Sequence, residues 1–141
     1  MQEHEVVQVG QKAVLIRDGR VLILEGSAHP GTWDLPGGRI NQGEDPATAL
    51  RRELEEELGA RTIEILDLVH YDVWYRPNKV NILLIGHLIS SPQKDFTLSK
   101  EHLSMAWVAQ DELSKYEFFT PILQTMIQKG FEFLKTQKNE K

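Results

Sequence analysis

The chain has 141 residues, 40% of them hydrophobic, which suits one domain spanning 1–141 with an ordinary core. It carries no cysteine, which excludes a disulfide framework, a thiolate metal site and a thiol nucleophile and leaves oxygen and imidazole ligands, so hard cations are the metals to expect. A formal net charge of -5 argues against a broadly basic surface, and no polymeric nucleic-acid partner is expected.

The start, "MQEHEVVQVGQKAV", lacks the basic segment and long apolar core of a secretory signal. No apolar run approaches the ~20 residues of a membrane helix. The expectation is a soluble, cytoplasmic protein without a membrane partner. Residues 6 to 17 are rich in β-branched side chains, and Asp18-Gly19 is a hairpin turn signal before "RVLILEG", so two antiparallel strands open the fold. "SAHPGTWDLPGGRINQGED" reads as a long ordered loop with a short extended piece at "WDL". Asp45 followed by Pro46 starts a helix, with a side-chain N-cap and a first-turn proline, and Gly59 supplies the left-handed stop. "RTIEILDLVHYDVWYR", "KVNILLIGHLIS" and "SMAWVA" read as strands, and the apolar spacing from Pro121 to Leu134 predicts a last helix near 120 to 136. Strands on either side of the first helix suggest an α/β arrangement, a mixed sheet between helical layers.

On a helix over 46 to 58, Ala47, Leu50, Leu54 and Leu58 share the face that packs on the sheet. Glu53, Glu56 and Glu57, at i, i+3 and i+4, share a neighbouring face, where like charges cost an isolated helix roughly 0.2–0.5 kcal/mol per pair. Ala49, one turn before Glu53, leaves space on that acidic side. Glu55 and Arg51 point to solvent, whereas Arg52 is one turn from Glu56 and can fix its rotamer. Three converging carboxylates suit a hard cation such as Mg²⁺ or Mn²⁺; a solvated acidic face is the alternative, and the surroundings of the helix decide between them.

Those surroundings carry a resemblance. Gly38, five residues, Glu44, seven residues and then "RELEEELGA" from Arg52 to Ala60 resemble the Nudix box, with every charged and glycine position matched and only Ala60 smaller than the usual aliphatic. "WDLPGG" is similar to the usual approach to that box. The resemblance implies the Nudix fold, an α/β/α sandwich with a mixed β-sheet, and hydrolysis of a nucleoside diphosphate linked to another moiety. It further implies metal ligation by Glu56 and Glu57, with Glu53 as third ligand or as the base that activates water, and a Gly37 or Gly38 carbonyl as a further ligand. Arg52 would orient the glutamates, and Glu44 would tie the loop to the helix or join the metal shell through water.

A diphosphate would be repelled by an acidic pocket unless Mg²⁺ or Mn²⁺ bridged the two, so metal dependence is a physical requirement of this reading. Glu53 is the first choice of base, and Glu101 in "SKEHLSMAWV" is its rival. Arg39, directly after the two glycines, is the basic candidate for the substrate's phosphates, with Arg76 and Lys79 around the "RPNK" turn as others. Trp33 heads the aromatics that can stack on a base, and His102 is the one histidine to watch. A nucleoside triphosphate or dinucleoside polyphosphate is the favoured small-molecule substrate, with ADP-ribose and nucleotide sugars open. The other class of reading is a nucleotide sensor of the same fold, which would be expected to have lost some of the acids. "KVNILLIGHLI" could serve as an edge strand for a second copy, so the sequence leaves a homodimer open.

Overall fold

The computed structural model describes residues 3–139. Strands β1 (Val7–Arg17) and β2 (Arg20–Gly26) meet in a turn whose two central residues, Asp18 and Gly19, both have positive φ, 52° and 75°. This is the primed turn that matches strand twist. The two strands pair only at Ile16↔Val21 and Arg17↔Arg20 and then diverge into two half-sheets.

On one side, β1 pairs in parallel with β6 (Asn81–Ser90) from Val7↔Asn81 to Leu15↔Ile89 and antiparallel with β4 (Gly37–Arg39). Antiparallel β5 (Glu64–Trp74) lies outside β6. On the other side, β2 pairs antiparallel with β7 (His102–Ala109) and β3 (Thr32–Asp34), and β8 (Glu117–Phe118) runs parallel to β3. A short 3-10 helix at Gln110–Lys115 follows β7.

Alternation along β1 sends neighbouring residues to opposite layers. Val14 joins Leu84, Leu88, Leu123, Met126 and Ile127 beneath helix α2 (Pro121–Asn139). Ala13 and Leu15 join Leu22, Leu24, Leu50, Leu54 and Leu58 beneath helix α1 (Pro46–Leu58). A mixed, curled sheet between two helices is the expected α/β/α sandwich. Each fully buried leucine on α1 contributes about 1.5–3 kcal/mol.

Helix α1 has the expected ends. Asp45 Oδ2 accepts the Thr48 N–H at 3.2 Å, and Gly59, at φ 64°, donates its N–H to the Glu55 carbonyl at 2.9 Å. Its faces differ from the sequence reading: Ala47 is exposed, and Ala49 and Glu57 are buried with the leucines. The packing stripe is therefore rotated toward the acidic side, so Ala49 leaves no open approach.

Three further differences bear on the site. Residues 37–39, read as loop, form β4, whose glycines give no side-chain signal for a strand. The 3-10 helix and the two-residue β8 are also additions. Finally, β6 is flanked by β5 and β1 and has no free edge; β5 is the outer strand of that half. The pairing capacity of "KVNILLIGHLI" is thus already used within the chain. Among the described residues, no helix is long and apolar enough to cross a membrane.

Candidate active site

The site begins where β4 is laid against β1, with Gln11 opposite Gly38 and Lys12 opposite Gly37. Gly37 has φ 144°, and a Cβ there would strike the Gln11 backbone carbonyl. A Cβ on Gly38 would occupy the place of the Glu53 carboxylate. Only glycine lets α1 bring its acids this close to the strand.

The result is an open cleft of about 800 Å³. Glu53, Glu56 and Glu57 of α1 form one side with Gly37, Gly38 and Arg39 of β4; Ser99, Lys100 and Glu101 of the β6–β7 loop form the other. The structure thus gathers the sequence candidates Arg39, Glu53, Glu56, Glu57 and Glu101, with Gly37 beneath them.

The three α1 acids sit in unlike surroundings. The Glu57 side chain is 7% exposed; its Oε1 accepts the Gly37 N–H at 2.8 Å, and its Oε2 lies 3.5 Å from His102 Nε2. Burial pushes its carboxyl up to about 8, with Asp34 and Glu53 pushing the same way and Lys12 and the Gly37 N–H opposing. Glu53 is partly buried and its pKa is also raised, chiefly by burial, against the pull of Arg52, with Glu56 and Glu101 adding repulsion. Glu56 is the most open of the three, its side chain 58% exposed.

Arg52 ties these groups together. Its Nε and Nη2 donate to the two oxygens of Glu44 at 2.6 and 2.9 Å, and Nη1 reaches Glu53 at 3.0 Å and Glu56 at 3.2 Å. Hydrogen bonds from Arg52 and from the Asn41 N–H lower the Glu44 pKa. Glu44 thereby joins the β4–α1 turn to the helix.

Other candidates lie elsewhere. Trp33 packs edge-to-face on Tyr116 at 5.2 Å, away from the acids. Arg76 and Lys79 line a separate pocket of about 460 Å³ with His29, Trp74, Tyr75 and Phe119. There the Arg76 guanidinium stacks over Trp74 at 5.3 Å and donates to the Val80 carbonyl. Strand β3 links the two places: the Trp33 carbonyl accepts the Phe119 N–H at 3.2 Å, and the next residue, Asp34, binds Lys12 Nζ at 3.0 Å.

Sequence reasoning missed Lys12, Asp34, Ser99 and Lys100. Lys12 carried a signal, because alternation places it on the same side as Val14 and Ile16, where a charge needs a buried partner. The Asp34 partner is visible only once β3 is folded against β2, beside β1.

Among the described residues, no three His, Asp or Glu side chains already converge as ligands around one point. Arg52 engages Glu53 and Glu56, while the Gly37 N–H engages Glu57. The donor set nevertheless fits a hard divalent cation: every side-chain donor is a carboxylate oxygen, and burial keeps Glu57 protonated up to about pH 8 unless a positive charge compensates it.

Residues 8–129 match the family model of the NUDIX domain. The RNA pyrophosphohydrolase of Brucella ovis is 36% identical over 97 residues, 64% of this chain and 53% of that protein. The chain thus spans about half the length of that relative. Nucleoside triphosphatase NudI of Escherichia fergusonii is 31% identical over 110 residues, covering 72% of this chain and 78% of that protein. In fold, the chain is similar to a C. elegans Ap4A hydrolase, with a TM-score of 0.78, 24% identity and coverage of 92% of this chain and 99% of the other.

Proposed function

Because the chain belongs to the Nudix family, whose members generally use divalent metal ions, we propose that it is a pyrophosphohydrolase cleaving a phosphoanhydride bond in a nucleoside diphosphate derivative. The observation that carries this reading is the convergence of Glu53, Glu56 and Glu57 on one cleft over a strand that only glycines let approach. Glu53, Glu56 and Glu57, with the Gly37 carbonyl, are the residues that would hold Mg²⁺ or Mn²⁺. The bound ion would supply a lowered water pKa and neutralise charge on the departing phosphate.

The chain's own groups do the rest. Water attacks one phosphorus, the anhydride P–O bond breaks with its electrons going to the leaving phosphate oxygen, and a carboxylate takes the water's proton. Glu53, where it does not itself ligate the ion, is the first choice of acceptor, because Arg52 Nη1 orients its carboxylate in the cleft at 3.0 Å. Glu101 is its rival across the same cleft. Arg52 positions the acids, and Arg39 holds substrate phosphate at the cleft edge. Arg76 and Lys79, which line the pocket with Trp74 and Tyr75, belong to the region that receives the nucleoside, and Trp33, packed on Tyr116, lies outside that lining.

A nucleoside triphosphate or dinucleoside polyphosphate is the favoured substrate, and the named activity of the NudI relative supports the former. Retention of Glu44, Glu53, Glu56 and Glu57 weighs against a sensor that binds without turnover. The test is identification of the products, nucleoside mono- and diphosphates and sugar phosphates as well as phosphate and pyrophosphate, from nucleoside triphosphates, dinucleoside polyphosphates, ADP-ribose, nucleotide sugars and a 5′-triphosphate RNA, with Mg²⁺, Mn²⁺ or chelator. Turnover abolished by chelator is expected. Tight nucleotide binding without turnover under either ion would replace the enzyme with the sensor.

A further inference from the structure

The carbonyls at the end of a helix need partners from outside it. In α1 the β6–β7 loop supplies them: the Leu58 carbonyl accepts the Thr97 N–H at 2.8 Å, and the Glu57 carbonyl accepts the Ser99 N–H at 2.9 Å. The loop that carries Lys100 and Glu101 into the cleft is therefore docked on the turn of α1 that carries Glu57.

One side chain braces this junction. Gln93 Nε2 donates to the Gly59 carbonyl and to the Asp95 carbonyl, both at 2.9 Å, while Gln93 Oε1 accepts the Arg61 N–H at 2.9 Å. Its backbone N–H donates to Ser91 Oγ at 3.2 Å, and Ser91 Oγ donates to the Thr62 carbonyl. A single amide thus joins the exit of α1 on both sides of Ala60 to the start of the loop. Its donors and its acceptor are all engaged, so no apolar or shorter side chain can reproduce the set.

We propose that Gln93 is a positioning residue for hydrolysis, holding the β6–β7 loop in register with α1 so that Glu101 faces Glu53 and Glu57 across the cleft. The inference rests on the reading of the cleft as an active site. Gln93 touches none of the cleft acids and acts through the two backbone hydrogen bonds that its brace protects.

The variant Gln93→Leu keeps the volume and removes all three side-chain bonds. Amide exchange at Thr97 and Ser99 should rise at least about tenfold while β1 and β6 amides keep their protection. The kcat should fall by about 10- to 100-fold, as expected of a misplaced rather than deleted group, with KM changing less than about threefold. In a Glu101→Gln background the same substitution should cost less than about twofold more, because the group it places is already gone. Unchanged exchange at Ser99 overturns the brace; fast exchange with native kcat overturns the positioning role; a full further loss in the Glu101→Gln background overturns the route through Glu101. If the native protein hydrolyses nothing in the substrate panel, the functional reading fails, and the exchange measurement still decides the brace. Should Gln93→Leu fail to fold, Gln93→Asn, one methylene too short to span Gly59 and Arg61, replaces it with the same expectations.

Discussion

Arg52 grips both carboxylate oxygens of Glu44, at 2.6 and 2.9 Å, and its remaining nitrogen reaches Glu53 and Glu56. One planar group therefore fixes the β4–α1 turn and two of the three cleft acids. Lysine has the charge without the fork, so Arg52→Lys cannot hold both Glu44 oxygens and the acids together. The expected outcome is a loss of kcat/KM of about 10- to 100-fold, the usual cost of losing a group that orients ligands, with a higher Mg²⁺ requirement. Steady-state kinetics across a Mg²⁺ titration check this; native values at every concentration would contradict it.

Glu56 and Glu57 test the cation reading more directly. Replacing either by Gln keeps shape and removes the anionic donor. If these groups hold an ion that contributes several kcal/mol to the transition state, turnover should fall by about 10³-fold or more. Far-UV circular dichroism should stay native, because Glu56 is exposed and an uncharged amide in place of Glu57 suits a site where the acid itself is costly to ionise. Full activity of both variants at saturating Mg²⁺ would remove them from the ligand set.

How much of this was legible in the sequence follows from the range of each cause. The Asp18-Gly19 turn, the Asp45-Pro46 start and the Gly59 stop depend on backbone preferences within a few residues, and all three appear as read. Strand β4 was missed because Gly37 and Gly38 have no side chains to show alternation; its cause is pairing with a strand distant in sequence, at Lys12↔Gly37 and Gln11↔Gly38. Glu57 looked like Glu53 and Glu56 on a helical wheel, yet its burial comes from β4 and the His102 segment closing over it. Likewise Lys12 and Asp34 meet only through the folding of β3.

Burial of Glu57 has a consequence for stability. Its carboxyl goes from an ordinary 4.5 to about 8 on folding, so between those values the folded state holds more protons than the unfolded state. Stability of the metal-free protein should therefore decrease as pH rises from about 5 to 8, by on the order of a few kcal/mol at most. A cation that balances the charge removes the penalty, so stabilisation by Mg²⁺ should be larger at about pH 8.5 than at about pH 6. Thermal unfolding with chelator and with Mg²⁺ measures both slopes. Glu57→Gln should flatten the metal-free profile; an unaltered slope would assign it to other groups.

The last prediction concerns the opposite end of α1. Gln11, 1% exposed, donates from Nε2 to the Pro46 carbonyl at 2.7 Å and shares a 2.8 Å hydrogen bond between Oε1 and His87 Nε2. Since Oε1 can only accept, the imidazole must be the donor in that pair, and burial lowers the His87 pKa, favouring the neutral ring. Gln11→Leu leaves the His87 N–H without this partner in a water-poor layer, at about 1–3 kcal/mol, while the Pro46 carbonyl, at the first residue of α1, keeps its intrahelical bond and loses only the second one. One such group predicts a fall in Tm of roughly 3–10 °C for a chain of this size. The exposed pair of Gln8 and Arg39, also joined at 2.7 Å, is the matched control: Gln8→Ala should change stability by less than about 0.5 kcal/mol, because water replaces the lost contact. Equal losses in the two variants would show that burial is not what gives the Gln11 bonds their weight.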